Sequence, residues 1–174
     1  VYITVAALIV PSLIESGIMP IAAHMFAFYF GVVSTITPPV ALASFAGAAI
    51  AKSPPMATAV ESSKVGIAKY IVPFAFVYNP SLLMEGPIIW SIYSLISVLL
   101  AYWSMTLGLE GWFNGRLNAF KRTLALLSSV TLLIPPLQKI YGIDGIYFNL
   151  LGIIILMLIY YLQGKLNFKF KAAT

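Results

Sequence analysis

The stretch Gly31-Val32-Val33-Ser34-Thr35-Ile36-Thr37-Pro38-Pro39-Val40 sets a glycine, three hydroxyls and two prolines inside an otherwise membrane-grade apolar segment. A regular helix does not run through it unchanged, because proline lacks the N–H of the helical ladder. At bilayer depth no water satisfies the backbone groups such a break frees, so it is tolerated only where it is buried in protein or lines a solvated cavity. Half-helix ends of this kind hold ions and anionic solutes near the bilayer midplane. The break is therefore a candidate site, and it divides the helix around it. Ile18 to Phe30, with Pro20 in its first turn, reads as a first half that stops at Gly31; Pro39 to Ala51 reads as a second half that Pro38 or Pro39 starts.

Composition sets the surroundings of the break. The chain is 61% hydrophobic and 9% charged, with a mean hydropathy of +0.98. An ordinary soluble domain carries about 25% charged residues, so this is an integral membrane protein. Spans of about 20 residues allow roughly five to seven crossings in 174 residues. Without cysteine there are no disulfides, thiol nucleophiles or thiolate metal sites. The net charge of +5 comes from Lys and Arg near segment ends, which suits anionic membrane lipid rather than nucleic acid. The chain opens at Val1 on an apolar run with no charged n-region, unlike a signal peptide, and reads as a piece of a longer protein.

Outward from the break, Val1 to Leu13 is an apolar helix too short to span, ending at the turn around Pro11 to Gly17. Lys52-Ser53-Pro54-Pro55 closes the second half-helix, and Pro55 to Lys64 reads as a short polar helix lying on the surface. Val65 to Leu83 is expected as a span interrupted at Pro73 and ended by Tyr78-Asn79-Pro80-Ser81, and Pro87 to Leu107 as a cleaner span. Arg116, Lys121 and Arg122 surround Trp112 and Phe113 in an interfacial loop, Gly108 to Lys121. Two further crossings are expected near Thr123 to Leu137 and Ile143 to Leu162. With the spans so drawn, nine of the ten Lys and Arg residues fall on one side, all except Lys139, which puts the C-terminus with Lys165, Lys169 and Lys171 in the cytoplasm.

Ser34, Thr35 and Thr37, with the carbonyls freed around Gly31, Pro38 and Pro39, supply the hard oxygen ligands a desolvated alkali cation needs. The absence of a carboxylate within the break favours a monovalent cation over Mg²⁺ or Ca²⁺. The plainer alternative is a proline kink whose hydroxyls cap the next helix. His24 is an intramembrane ionisable group with no Cys, second His or acid nearby, which suits a neutral histidine bonding across a helix interface better than a transition-metal site. Asn79 is either a donor to substrate or an ordinary Asn-Pro turn starter; Glu15 and Glu85 read as solvated loop carboxylates. Neither paired intramembrane acids, a His-ligand helix motif nor a Gly-x-Ser-x-Gly elbow is present, so no enzyme and no cofactor is indicated.

The run His24-Met25-Phe26-Ala27-Phe28-Tyr29-Phe30-Gly31 through Pro38-Pro39-Val40-Ala41-Leu42-Ala43 resembles the C-terminal signature of the large membrane subunit of tripartite ATP-independent periplasmic (TRAP) transporters. In particular it resembles the fused permeases of the TAXI subgroup. Ala49-Ile50-Ala51, Pro55-Met56 and Gly66-Ile67-Ala68-Lys69-Tyr70 through Asn79-Pro80-Ser81-Leu82-Leu83 continue the likeness over about residues 1 to 86. Val40-Ala41 stands where many dicarboxylate and sialate relatives have Val-Gly, a departure that suits the TAXI branch.

The resemblance implies an all-α polytopic membrane protein, the C-terminal part of an inverted-repeat, elevator-type secondary transporter in a bacterial or archaeal cytoplasmic membrane. Residues 1–86 would belong to its transport domain, with a discontinuous helix over 18–51 and the end of a re-entrant hairpin before it. Residues 87–174 would be C-terminal transmembrane helices. An extracytoplasmic solute-binding protein would deliver a small organic acid, and the upstream part of the permease would complete the site. Na⁺ would be the coupling ion, held through main-chain carbonyls of the Gly31 to Thr37 loop and the Thr37 hydroxyl; some of the TAXI branch would use H⁺. His24 and Asn79 would face the substrate cavity. A non-transporting membrane scaffold, its broken helix a packing kink, is the competing reading.

Overall fold

A computed structural model describes residues 2–140 and 142–171, with side chains up to Gln163 apart from that of Ile140. The chain forms two compact units, Val1–Pro87 and Ile88–Thr174. The first contains α1 (Tyr2–Glu15), α2 (Pro20–Val33), α3 (Leu42–Ala51), α4 (Pro55–Val65) and α5 (Val72–Tyr78), with 3₁₀ turns at Ile67–Tyr70 and Pro80–Leu83. The second contains α6 (Ile88–Glu110), α7 (Ala119–Leu133), a two-stranded hairpin of β1 (Lys139–Ile140) and β2 (Ile143–Asp144), and α8 (Gly145–Lys171). That hairpin and an isolated antiparallel bridge between Trp112 and Arg116 are the β pairings among the described residues.

Gly17 ends α1. Its φ of +87° suits the left-handed position after a helix, Ile18 N–H reaches back to Leu13 O (3.1 Å), and Gly17 N–H to Ile14 O (2.9 Å). The chain then reverses, and Pro20 starts α2 where a missing N–H has no cost. Val10 packs between Ala23 and Ala27, flanked by Val5, Leu13 and Ile18. Pro11 lies inside α1, so the helix runs on to Glu15 rather than closing near Leu13; glycine, not proline, terminates it. Likewise α2 does not stop at Gly31 but continues to Val33, with Gly31 buried where the start of α1 passes, about van der Waals distance from Tyr2. An aromatic cluster then fixes α5 on α2. Phe26 and Phe30 meet Phe74 edge-on at 5.3 and 6.1 Å, and Tyr29 meets Phe76 at 5.4 Å, each pair worth about 0.5–1.5 kcal/mol.

Two helices among the described residues are long and apolar enough to cross a membrane, Ile88–Glu110 and Gly145–Gln163. This falls short of five to seven crossings, and the shortfall has identifiable causes. Val65 to Leu83 is not one interrupted span: Pro73 and Pro80 lack N–H donors, and the segment breaks into a 3₁₀ turn, a 7-residue helix and a second 3₁₀ turn. Of the remaining expected crossings, α7 has 15 residues, about 22 Å of helix against a hydrocarbon thickness of about 30 Å, and it ends ahead of Pro135-Pro136. The loop-charge split thus rests on two crossings that these elements do not supply as regular spans. Lys165, Lys169 and Lys171, on which it also draws, have side chains outside the described residues.

In the second unit, small residues let helices approach closely. Ser91, Ser94, Ser97, Ala101, Ser104 and Gly108 form one buried face of α6. Ser104 Oγ donates to Ala125 O of α7 (2.8 Å), and Ser128 Oγ of α7 donates to Gly152 O of α8 (2.8 Å). Asn149, fully buried, accepts from Ser97 Oγ (2.8 Å) and directs its amide at Ile134 O, Gly145 O and Thr131 O. Leu132, Leu156 and Ile159 fill the remaining apolar core.

Candidate functional site

The break between α2 and α3 spans residues 34–41, and its bonding follows from what proline cannot donate. Helical continuation would have sent the N–H groups of residues 38 and 39 to the carbonyls of Ser34 and Thr35. Those carbonyls accept from other donors instead, Ser34 O from Thr37 N–H (3.3 Å) as well as from further along the chain. Ala41 N–H reaches Ser34 O (3.2 Å) and Thr37 O (3.0 Å), and Ala43 N–H reaches Thr35 O (2.9 Å). The second half-helix therefore begins at Leu42, three residues after the expected Pro39, and neither Pro38 nor Pro39 starts it. The Pro38–Pro39 peptide is cis. Buried Ala41 takes a left-handed conformation, φ +35°, to turn the chain into α3.

The hydroxyls serve the other side of the break. Ser34 Oγ donates to Gly31 O (2.7 Å), Thr35 Oγ1 to Val32 O (2.7 Å) and Thr37 Oγ1 to Val33 O (2.8 Å). They cap the C-terminus of the preceding half-helix rather than the N-terminus of the next, because its last carbonyls have lost their i+4 donors. Each hydroxyl commits its one proton to a carbonyl and keeps oxygen lone pairs turned away from it. The result is an oxygen-rich turn with no Asp or Glu between residues 31 and 41.

Three residues that sequence reasoning did not single out hold this turn from α4 and the 3₁₀ turn after it. Tyr70 Oη lies 2.6 Å from Thr37 Oγ1; with the threonine proton directed at Val33 O, the tyrosine donates. Ser63 Oγ donates to Ile36 O at 3.1 Å. Gly66 leaves room for the Ile36 side chain, since a Cβ there would stand 2.6 Å from Ile36 Cδ1. A shallow cavity of about 440 Å³ adjoins this contact, lined by Ile36, Thr58, Glu61, Ser62, Gly66 and Lys69 among others.

The other expected site residues lie elsewhere. His24 is exposed on α2, ten residues or about 15 Å of helix before Ser34. Its Nδ1 is 2.9 Å from Tyr2 Oη, a bond across the α1–α2 interface. Asn79 is buried and opens the Pro80–Leu83 turn; its N–H donates to Ala75 O and its carbonyl accepts from Leu82 N–H, the backbone bonds of a turn starter. Among the described residues no cluster of three His, Cys, Asp or Glu side chains is placed to hold a metal ion.

The described residues thus combine an interrupted helix, its turn lined with oxygens, and two helices long and apolar enough to cross a membrane, elements that a helical membrane transporter would carry. Residues 1–90, just over half of the chain, match the family described as Tripartite ATP-independent periplasmic transporter, DctM component, and the chain belongs to that family. It is a component of a transporter and not an enzyme. No curated protein and no solved structure matches it.

Proposed function

We propose that the chain is permease of a cation-coupled secondary transporter of the TAXI type, taking up a small organic acid across a bacterial or archaeal cytoplasmic membrane. Na⁺ is the coupling ion, held by the hydroxyls of Ser34, Thr35 and Thr37 and by main-chain carbonyls from Gly31 onward. The observation that carries the reading is the break's bonding pattern: three hydroxyls with their protons already committed, beside the carbonyls of Gly31, Thr35 and Thr37, each of which accepts one hydrogen bond and keeps a second lone pair. Such a donor set, without a carboxylate, fits a monovalent cation, and it offers no acid to carry a proton. An extracytoplasmic solute-binding protein delivers the substrate, and the transport unit moves by an elevator-type displacement, as the sequence resemblance implies.

The scaffold reading draws on the same bonds, which satisfy the break without an ion. Uptake by the permease, reconstituted in proteoliposomes with its binding protein, separates the two. An imposed Na⁺ gradient is expected to drive organic-acid uptake, and a proton gradient in sodium-free buffer is not. Equal uptake under a proton gradient would overturn the sodium assignment. Absence of uptake under either gradient, with the binding protein loaded, would favour the scaffold.

A further inference from the structure

The loop between α6 and α7 gathers cations around a cavity of about 450 Å³, lined by Glu110, Gly111, Trp112, Arg116, Leu117 and Arg122. Its level follows from the helices it joins. The loop begins where α6 ends at Glu110; Lys121 Nζ donates to Gln163 Oε1 (2.8 Å), two residues before Lys165, the first charged residue in the sequence of α8, and Phe113 meets Tyr160 in a tilted contact at 5.8 Å. The end of α6 thus meets α8 where its apolar sequence gives way to lysines, which for two spanning helices is the level of the lipid headgroups. Trp112, 62% exposed, and Phe120, 66% exposed, provide the aromatic surface typical of that depth.

The two arginines differ in their commitments. Arg122 Nε and Nη2 donate to Gly108 O (2.9 Å) and Leu109 O (2.8 Å), closing the end of α6, and its remaining N–H groups stay available. Arg116 is exposed and engages no side chain among the described residues. With Glu110, the cavity lining carries a net charge of +1. Guanidinium forks suit phosphate oxygens.

We propose that this cavity binds the phosphate of an anionic phospholipid headgroup, with Arg116 as its free cation and Arg122 as the cation that also closes α6. A net positive lining complements a headgroup of net negative charge better than a zwitterionic one, whose cationic end faces the guanidinium groups. A free phosphate ion would meet the same forks but leave the aromatic rim without an apolar partner.

Native mass spectrometry of the delipidated full chain in detergent tests this by titration with phosphatidylglycerol, phosphatidylethanolamine and phosphatidylcholine. Phosphatidylglycerol is expected to bind the tightest. Arg116→Gln weakens it about tenfold, the scale of one lost charge-assisted group; Glu110→Gln strengthens it, and Lys69→Gln, in the other unit, leaves it unchanged. Millimolar inorganic phosphate does not displace it. Equal binding of the three lipids, unchanged affinity in Arg116→Gln, or displacement of the lipid by inorganic phosphate would each overturn the proposal.

Discussion

Tyr70 donates its hydroxyl proton to Thr37 Oγ1 at 2.6 Å, joining the 3₁₀ turn after α4 to the centre of the helix break. Thr37 passes the chain on by donating to Val33 O, so the tyrosine orients the threonine oxygen without occupying all of it. Tyr70→Phe keeps the ring and removes the donor. We expect a stability loss of about 1 kcal/mol by thermal unfolding in detergent, the usual net worth of one hydrogen bond. An unchanged melting temperature would mean that the Tyr70 hydroxyl does not help to hold the break.

Ala41 sits at φ +35°, ψ +36° and is fully buried, a conformation that disfavours any side chain. Ala41→Gly relieves that strain at the cost of a more flexible unfolded chain, for a net gain of up to about 1 kcal/mol. Ala41→Val adds branching and volume where neither fits and is expected to cost more than about 2 kcal/mol. Melting temperatures of the two variants should bracket that of the native chain; the reverse order would contradict the left-handed assignment.

The stacking of α6, α7 and α8 depends on polar bonds within an apolar bundle. Asn149→Leu removes the group that joins Ser97 to three carbonyls. Interhelical bonds in membranes average about 0.6 kcal/mol each, so a loss of about 1–2 kcal/mol is expected, with Ser97→Ala losing less. Unfolding in mixed micelles of rising dodecyl sulfate content measures both.

The break was legible in sequence because its cause is local: two adjacent prolines remove two donors wherever they stand. Pro20 at the start of α2 and the punctuation around Gly17 were legible for the same reason. Tyr70, Ser63 and Gly66 were not, since their partners Thr37 and Ile36 lie 27 to 33 residues away and nothing local marks the pairing. Over Val65 to Leu83 the interruption at Pro73 and the end at Asn79-Pro80 were legible, but hydropathy sums the pieces into one span where the prolines start a short helix and a 3₁₀ turn. The serine face of α6 was open to reading from its helical spacing, yet it disappears in an apolar average over residues 88–110. The extent of α2 was misjudged because Gly31 signals a break as readily as a close approach, and here it is the approach of Tyr2.

Gly66→Val follows from that missed contact. Its Cβ would meet Ile36 Cδ1 at 2.6 Å and Ser62 O at 3.0 Å, so Ile36 must leave its place at the break. Overpacking of this kind costs about 1–3 kcal/mol. On the proposed sodium site, the displaced turn should also raise the sodium concentration for half-maximal uptake, whereas Gly47→Ala, inside α3 with nothing within 4 Å of the added Cβ, should leave the sodium dependence unchanged and cost no stability.

The central claim, that the break between α2 and α3 holds the coupling sodium ion, is tested most directly by the sodium dependence of uptake in Thr37→Ala permease, reconstituted with its binding protein in proteoliposomes. Loss of one oxygen ligand predicts a half-saturating sodium concentration raised about tenfold, with assembly and binding-protein docking intact. A sodium dependence identical to that of the native permease would contradict the assignment.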